Sequence, residues 1–291
     1  MADARHRLPL RLAIMDAARI LAAAGVPSAR VDAEMIAAHV MGVDRMKLPM
    51  VPLVDPQVVD EVGRLVRQRA RRIPLQHLTG WAAMGTVVLE VGPGVFVPRP
   101  ETELLLEWGI AQLRDVARPV VVDLCTGSGA LALAFAAARP DAVVHAVESE
   151  PSALAWARRN ADNRTKVGDS PIRLHSGDVT ESDLLSELDG AVDLVLCNPP
   201  YVPDGTPVPP EVAEHDPARA VFAGADGLDV IRHVVGCAAR LLRNGGFVAI
   251  EHDDSQGVSV PALLAARHVL GEVTGHLDLV GRPRFATARR N

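Results

Sequence analysis

The chain has 291 residues, 48% of them hydrophobic, which is enough for one large domain with a well-packed core and a smaller second domain. Its formal net charge of −6 argues against a general affinity for the phosphate backbone of nucleic acids. Three widely spaced cysteines, Cys125, Cys197 and Cys237, fit neither a disulfide framework nor a zinc site. No uncharged stretch approaches membrane-spanning length, so we expect a cytoplasmic protein that binds no membrane. We also expect no metal, because the acidic and histidine run at 251–254 has the composition of a metal site but adjacent strand residues point to opposite faces.

Residues 1–73 are predicted to form a small helical domain. Apolar residues recur at helical spacing from Leu10 to about Arg72, and glycines and prolines punctuate the pattern. We interpret this as a bundle of three or so helices. The last helix carries arginines that can face an acidic partner or RNA but are more typical of a solvated helix surface, namely Arg64, Arg67, Arg69, Arg71 and Arg72.

Residues 74–100 are predicted to form a β-hairpin linker, because glycines surround a β-branched stretch at 86–91. A helical pattern follows Glu101. From there to near the end of the chain, short apolar strands alternate with helices. The strands are predicted at 120–124, 143–147, 172–175, 192–197 and 246–251. This alternation predicts a parallel sheet with helices on both faces. Two closing segments, 273–280 and 285–289, are candidates for a terminal hairpin.

A glycine-rich turn follows the first of these strands and is the first candidate binding element. Cys125-Thr126-Gly127-Ser128-Gly129 leads into the apolar helix 130–138, so a ligand can approach the backbone closely and meet helix N-terminal amides. Glu148 ends the next strand, where an acidic side chain can accept hydrogen bonds from both ribose hydroxyls of a nucleoside. Asp178 and Val179 follow the third strand and are candidates for the amino group and the face of the base, although an aspartate there is commonly a cap or turn residue.

The tetrapeptide Asn198-Pro199-Pro200-Tyr201 is the second candidate element, and it contains the only tyrosine of the chain. The lone pair of an amide or exocyclic amine nitrogen is delocalised, so an enzyme that alkylates it needs acceptors that hold the N–H groups in place. The Asn198 side-chain carbonyl and the Pro199 backbone carbonyl are suitable acceptors, and Tyr201 offers a flat apolar face. The alternative interpretation is a turn that merely ends a strand.

Both elements follow strands of one parallel sheet, so we expect them to face one crevice. Together they resemble the Rossmann-like methyltransferases that use S-adenosylmethionine. The flanks narrow the resemblance to the release factor glutamine methyltransferase family, which is similar in order and spacing. These flanks are Pro-Leu-Gln-His-Leu-Thr-Gly at 74–80, Val-Pro-Arg-Pro-Glu-Thr-Glu at 97–103, Gly-Gly-Phe at 245–247 with Glu251-His252, and Gly-Arg-Pro-Arg at 281–284.

The resemblance implies a class I methyltransferase sheet of α/β type at 101–291, preceded by the helical bundle, which would dock the release factor, and the hairpin linker. It implies transfer of a methyl group from S-adenosylmethionine to the glutamine side chain of the Gly-Gly-Gln motif in peptide chain release factors. Asn198, Pro199, Pro200 and Tyr201 would hold that amide. The segment 125–129, Glu148, Asp178, Val179 and Asn198 would line the cofactor. We expect a monomer without stable nucleic-acid binding.

Arg99 belongs to a segment that family members place near the active site. We predict that it positions the substrate, with a structural salt bridge as the alternative of equal weight. Three departures from the family pattern concern the cofactor. Cys125 stands where glycine is usual, Glu148 where aspartate is more frequent, and Val179 where an aromatic residue is common.

Three other functions are compatible with parts of the pattern. The glycine loop satisfies a loose dinucleotide fingerprint, but no hydride-transfer constellation accompanies it. The tetrapeptide also suits an enzyme that methylates the exocyclic amine of adenine in nucleic acid, although the acidic chain and the absence of an inserted recognition domain count against base flipping. A cofactor-binding adaptor without catalysis is the remaining alternative.

Overall fold

The computed structural model describes residues 7–291, and the first six residues of the predicted helical domain lie outside the described residues. The chain divides into two compact units. The first comprises the described residues up to Gly80 together with Pro209–His215, and the second comprises Trp81–Val208 and Asp216–Asn291. The domain boundaries predicted at residues 73 and 100 stay a prediction.

The first unit is helical. Its helices up to Gly80 are α1 (Leu10–Ala23), α2 (Ala29–Met41), α3 (Pro56–Ala70) and α4 (Leu75–Thr79), with a short antiparallel pair of strands, β1 (Leu8–Pro9) and β2 (Leu53–Val54). Proline at the first position of α3 suits a helix start, and Gly42 ends α2 with a left-handed φ of 64°. The predicted three-helix bundle is present.

A buried ion-pair cluster joins the later segment Pro209–His215 to the rest of the first unit. The guanidinium of Arg69 donates to Asp32 Oδ2 at 2.7 Å and pairs with Glu211 at 2.8 Å, while Arg72 pairs with the other oxygen of Glu211 at 2.5 Å. The side chain of Arg69 is only 7% exposed. The interpretation of this arginine series as a solvated surface was therefore wrong for Arg69, because its partners come from distant parts of the sequence.

The second unit begins with an antiparallel hairpin and continues as an α/β domain. The hairpin is β3 (Trp81–Met84) and β4 (Val87–Glu90). The domain strands are β5 (Val120–Leu124), β6 (Val143–Glu148), β7 (Arg173–Ser176), β8 (Val192–Cys197), β9 (Leu242–Glu251), β10 (Leu270–Leu277) and β11 (Pro283–Arg290). The remaining helices are α5 (Glu103–Gln112), α6 (Ala130–Ala138), α7 (Pro151–Lys166), α8 (Pro210–His215, in the first unit), α9 (Asp229–Leu241) and α10 (Ser259–Ala265).

The seven-stranded sheet has the order β10-β11-β9-β8-β5-β6-β7. Strands β5 to β9 run parallel, and β11 lies antiparallel between β9 and β10. One apolar cluster packs α9 and α10 on one face, and a second packs α5 and α6 on the other. This confirms the predicted α/β fold with helices on both faces and a closing hairpin.

The register of the parallel strands brings their carboxyl ends into line. Leu124 on β5 pairs with Val147 on β6 and with Cys197 on β8, and Cys197 pairs in turn with Ile250 on β9. The residues that follow these positions therefore meet at one edge of the sheet. Ligands of open α/β sheets bind at this edge.

Candidate active site

The predicted tetrapeptide begins directly after β8, and its first residue lies in a buried hydrogen-bond chain. Asn198 Nδ2 donates to Thr102 Oγ1 at 3.0 Å, and the Thr102 hydroxyl donates to Glu251 Oε2 at 2.8 Å. Tyr201 closes the chain, because its hydroxyl donates to the other oxygen of Glu251 at 3.2 Å. The chain thus links the turn before α5, the end of β8 and the end of β9.

Glu251 is the electrostatic centre of this chain. Its side chain is completely buried, and burial raises its pKa to about 7 although Thr102, Arg284 and Tyr201 all favour the ionised form. Burial and the nearby Glu251 carboxylate also raise the pKa of Tyr201 well above its ordinary value. Tyr201 therefore keeps its proton at neutral pH and acts as a donor, not as a base.

The glycine-rich turn lies on the neighbouring strand, and its backbone is unusual at three positions. Cys125, Gly127 and Gly129 have φ angles of 59°, 60° and 85°, in the left-handed region. Thr126 holds the turn, since its amide donates to Val147 O and its hydroxyl donates to Asp123 Oδ2 at 2.5 Å. A methyl group added at Gly127 would meet no atom within 4 Å, so the turn leaves open space where a ligand can approach the backbone.

Cys125 lies against the strand that carries the tetrapeptide. Burial raises the pKa of the Cys197 thiol well above its ordinary value, and the adjacent Cys125 thiol acts in the same direction. Cys197 directly precedes Asn198, so the glycine-rich turn and the tetrapeptide adjoin each other at the sheet edge. The expectation that both elements serve one crevice is supported by this contact.

Glu148 ends β6 with its side chain directed at the turn. Oε2 accepts from the Gly127 amide at 2.8 Å, and Oε1 accepts from the Glu150 amide at 2.9 Å. Burial raises its pKa, and these amide hydrogen bonds offset part of the effect. A carboxylate can accept more hydrogen bonds than these two, so the group retains capacity for a ligand hydroxyl.

Comparison with known proteins identifies the family. Residues 13–80 match the model of the PrmC N-terminal domain, and residues 93–214 match that of the methyltransferase small domain. A release factor glutamine methyltransferase of Mycolicibacterium smegmatis is 55% identical over 283 residues, which cover 97% of this chain and 98% of that protein. Its counterpart in Mycobacterium tuberculosis is 50% identical over 290 residues, with 97% and 92% covered.

This chain belongs to the release factor glutamine methyltransferase family. A solved 16S rRNA N2 methyltransferase of T. thermophilus, in complex with AdoMet and guanosine, matches with a TM-score of 0.54 and 22% identity. The match covers 72% of this chain and 50% of that one, and a likeness of this degree shows the fold alone.

The residues present suit S-adenosylmethionine, the cofactor of such methyltransferases. Open space beside Gly127 admits a ligand against the backbone. Glu148 offers unused acceptor capacity at the same turn. The buried hydroxyl oxygen of Ser128 has no hydrogen-bond partner among residues 7–291, so it can still donate to or accept from a ligand. The turn therefore has the space and polar groups to hold a ligand, and Cys125 adopts a left-handed backbone conformation within it.

Two predicted cofactor residues have other partners here. Asp178 Oδ1 accepts from the Thr180 amide at 2.8 Å, and the Asp178 amide donates to Glu181 at 3.2 Å, as in a turn of ordinary type. Val179 is 9% exposed and packs in the apolar cluster on the α9 side of the sheet. Their roles toward the base stay a prediction.

Arg99 forms a salt bridge of the kind considered as its alternative role. Its Nη2 lies 2.5 Å from Asp216 Oδ2, and its guanidinium carbon lies 4.7 Å from the centre of the Phe96 ring. The Asp216 side chain is 1% exposed, whereas that of Arg99 is 30% exposed. The pair anchors Arg99, and its remaining donors leave the predicted substrate role open to test.

Thr102 and Glu251 were not among the predicted site residues. Both belong to motifs quoted for the family resemblance, but nothing local indicates that they meet, because 149 positions separate them. Only the convergence of α5 and β9 on the end of β8 brings them to Asn198. Within residues 7–291 no group of three potential ligands is placed to hold a metal ion, and no helix has the length and apolarity to span a membrane.

Proposed function

We propose that this protein transfers the methyl group of S-adenosylmethionine to the side-chain amide nitrogen of glutamine in the Gly-Gly-Gln motif of peptide chain release factors. The family membership supports the reaction and the substrate. The observation that carries the proposal onto residues is the hydrogen bond from Asn198 Nδ2 to Thr102. It leaves Asn198 Oδ1 available to accept from an amide N–H at the sheet edge.

The cofactor supplies an electrophilic methyl group. The residues of the chain supply position. Asn198 Oδ1 and the Pro199 carbonyl would each accept one N–H of the glutamine amide, which holds the amide plane and directs the nitrogen lone pair at the methyl carbon. Tyr201 would pack on the amide beside them.

Catalysis by position agrees with how Glu251 is used. Both of its oxygens are engaged by hydroxyl groups of the chain, at 2.8 Å from Thr102 and 3.2 Å from Tyr201. This carboxylate therefore serves the arrangement of the site, and the proposed reaction needs no ionised base in contact with the amide. In the proposal the protein acts as a monomer in the cytoplasm, with a protein substrate and no bound nucleic acid.

The test is methylation of a folded release factor by purified protein with S-adenosylmethionine, read by mass spectrometry of the digested factor. One methyl group is expected on the glutamine of the Gly-Gly-Gln motif. A release factor with that glutamine replaced is the matched control and should gain none. Methylation of adenine in added DNA, in place of the factor, would overturn the substrate assignment.

A second arm separates an enzyme from an adaptor. Asn198→Ala removes the amide acceptor and should lower the methylation rate by about a hundredfold or more, since a misplaced reacting group has effects of that size. Binding of S-adenosylmethionine, measured by calorimetry, should persist with at most a modest loss of affinity, because Asn198 is one of several residues predicted to line the cofactor. Cells that retain full release factor function with Asn198→Ala as the only copy would indicate an adaptor.

A further inference from the structure

The hydrogen-bond chain through Asn198 has only one consistent arrangement of protons when Glu251 is ionised. A carboxylate is an acceptor only, and a threonine hydroxyl has a single proton to donate. Thr102 gives that proton to Glu251 Oε2 at 2.8 Å. Its oxygen can then only accept from Asn198, so the atom that faces it at 3.0 Å must be the NH₂ group.

The same proton count disfavours the inverted amide as long as Glu251 is ionised, which is its form above a pKa of about 7. Turning Asn198 over would set Oδ1 against the Thr102 oxygen with no proton between them. It would also turn the NH₂ group toward the position where a substrate NH₂ must be held, which places donors against donors. Tyr201 keeps the arrangement from relaxing, because its protonated hydroxyl occupies the other oxygen of Glu251.

We propose that Thr102 and Glu251 are positioning residues that fix the Asn198 amide with Oδ1 turned to the substrate, where it accepts a hydrogen bond from the NH₂ group that is methylated. The inference rests on the proposed function. Thr102 suits this role because it is 3% exposed, and it lies in the short turn Pro100–Thr102 that leads into α5. Its rotamer is thereby held by packing as well as by two hydrogen bonds.

The test compares three threonine variants by steady-state methylation of a release factor. Thr102→Val keeps the shape but removes both hydrogen bonds, Thr102→Ser keeps the hydroxyl, and Thr287→Val is the matched control. Thr287 is also buried, at 4% exposed, and its hydroxyl bonds to His276 at 2.9 Å.

We expect Thr102→Val to lower kcat by about tenfold to a hundredfold, while KM for the release factor stays within about twofold. The effects on kcat and KM differ because the glutamine amide is a small part of a protein substrate. Its orientation therefore affects methyl transfer far more than it affects binding of the release factor. Thr102→Ser should retain kcat within about threefold, and Thr287→Val should retain it fully even where it lowers the melting temperature.

A readout independent of activity keeps this inference separate from the proposed function. In protein with isotope-labelled asparagine, the side-chain NH₂ signals of Asn198 are identified by their loss in Asn198→Ala. They should shift in Thr102→Val and stay in place in Thr287→Val. No methylation by the wild-type protein, with these shifts present, would refute the proposed function and leave the orientation standing.

The inference is overturned by any of three results with an active wild-type enzyme. The first is Thr102→Val with kcat within about twofold of wild type. The second is Thr102→Ser as slow as Thr102→Val. The third is unchanged Asn198 signals in Thr102→Val, because that would show an amide held by other partners.

Discussion

The ionisation of Glu251 is the sharpest quantity that the structure predicts. Its side chain is buried, and two charged groups act on its pKa: Arg284 favours ionisation, and Glu101 opposes it. Burial dominates and raises the pKa from 4.5 to about 7. The perturbation that isolates this group is Glu251→Gln, which preserves shape and removes the titration.

The sign and size of the effect on stability follow from linkage. Between about pH 4.5 and 7 the folded protein keeps the Glu251 proton while the unfolded chain releases it, so the free energy of unfolding falls as pH rises through that window. The shift of pKa corresponds to at most about 3 kcal/mol. Between pH 5 and pH 8 the free energy of unfolding of the wild-type protein should therefore fall by about 2 to 3 kcal/mol more than that of Glu251→Gln.

Two natural reporters in the chain make this measurable. The three tryptophans, Trp81, Trp108 and Trp156, all lie in the second unit, so urea unfolding followed by tryptophan fluorescence reports the unit that contains Glu251. Asp123 also titrates near pH 7 because of its burial, but subtracting the variant from the wild type cancels its contribution.

Tyr201 offers the second reporter, because it is the only tyrosine and its hydroxyl donates to Glu251. The single ring signal of isotope-labelled tyrosine should shift with a midpoint near pH 7 in the wild-type protein and stay constant in Glu251→Gln. A midpoint near the ordinary value of 4.5, or equal pH slopes of unfolding in both proteins, would refute the reasoning, since either result means that burial does not control this carboxyl.

Two further predictions concern the turn and the helical unit. Gly127→Ala should weaken S-adenosylmethionine binding by about tenfold or more, measured by calorimetry, because the added methyl group fills the open space beside the turn. The protein itself should be destabilised by only about 1 to 2 kcal/mol, the cost of a side chain at a φ of 60°. Equal affinity would show that no ligand approaches the backbone there. Asp32→Asn removes one of the charged partners of the buried Arg69 and should destabilise the first unit by about 3 kcal/mol. The measurement is the loss of amide hydrogen-exchange protection in α2 and α3. Unchanged protection would show that Glu211 alone compensates the charge of Arg69.

The elements that could be predicted from sequence are those whose signals are local. Helix α6 and strands β5 and β8 have the predicted bounds, because each is a largely apolar run next to a glycine or proline turn. Strand β9 starts at Leu242, four residues before the predicted 246. Its two glycines obscured the beginning, since glycine disfavours strands in isolation.

The same contrast separates the predicted parts of the site from the missed parts. The glycine turn and the tetrapeptide are short motifs, and a few adjacent residues suffice to predict their chemistry. Asn198 bonds to Thr102, 96 residues away before α5, and Thr102 bonds in turn to Glu251 at the end of β9. This contact exists because β9 pairs with β8 in the sheet, and that strand order cannot be inferred from a few adjacent residues.

Three buried carboxyls at the strand ends show how sheet order assigns different tasks to similar residues. Asp123 accepts hydrogen bonds from the Thr126 hydroxyl in the turn and from the Ala132 amide, so it holds the start of α6 in place. Glu148 accepts only backbone amides and retains acceptor capacity for a ligand. Glu251 accepts only side-chain hydroxyls and so acts on Asn198 through Thr102. Burial raises the pKa of all three, which is unfavourable for an ionised group, and their hydrogen-bond donors differ because each strand end meets different elements.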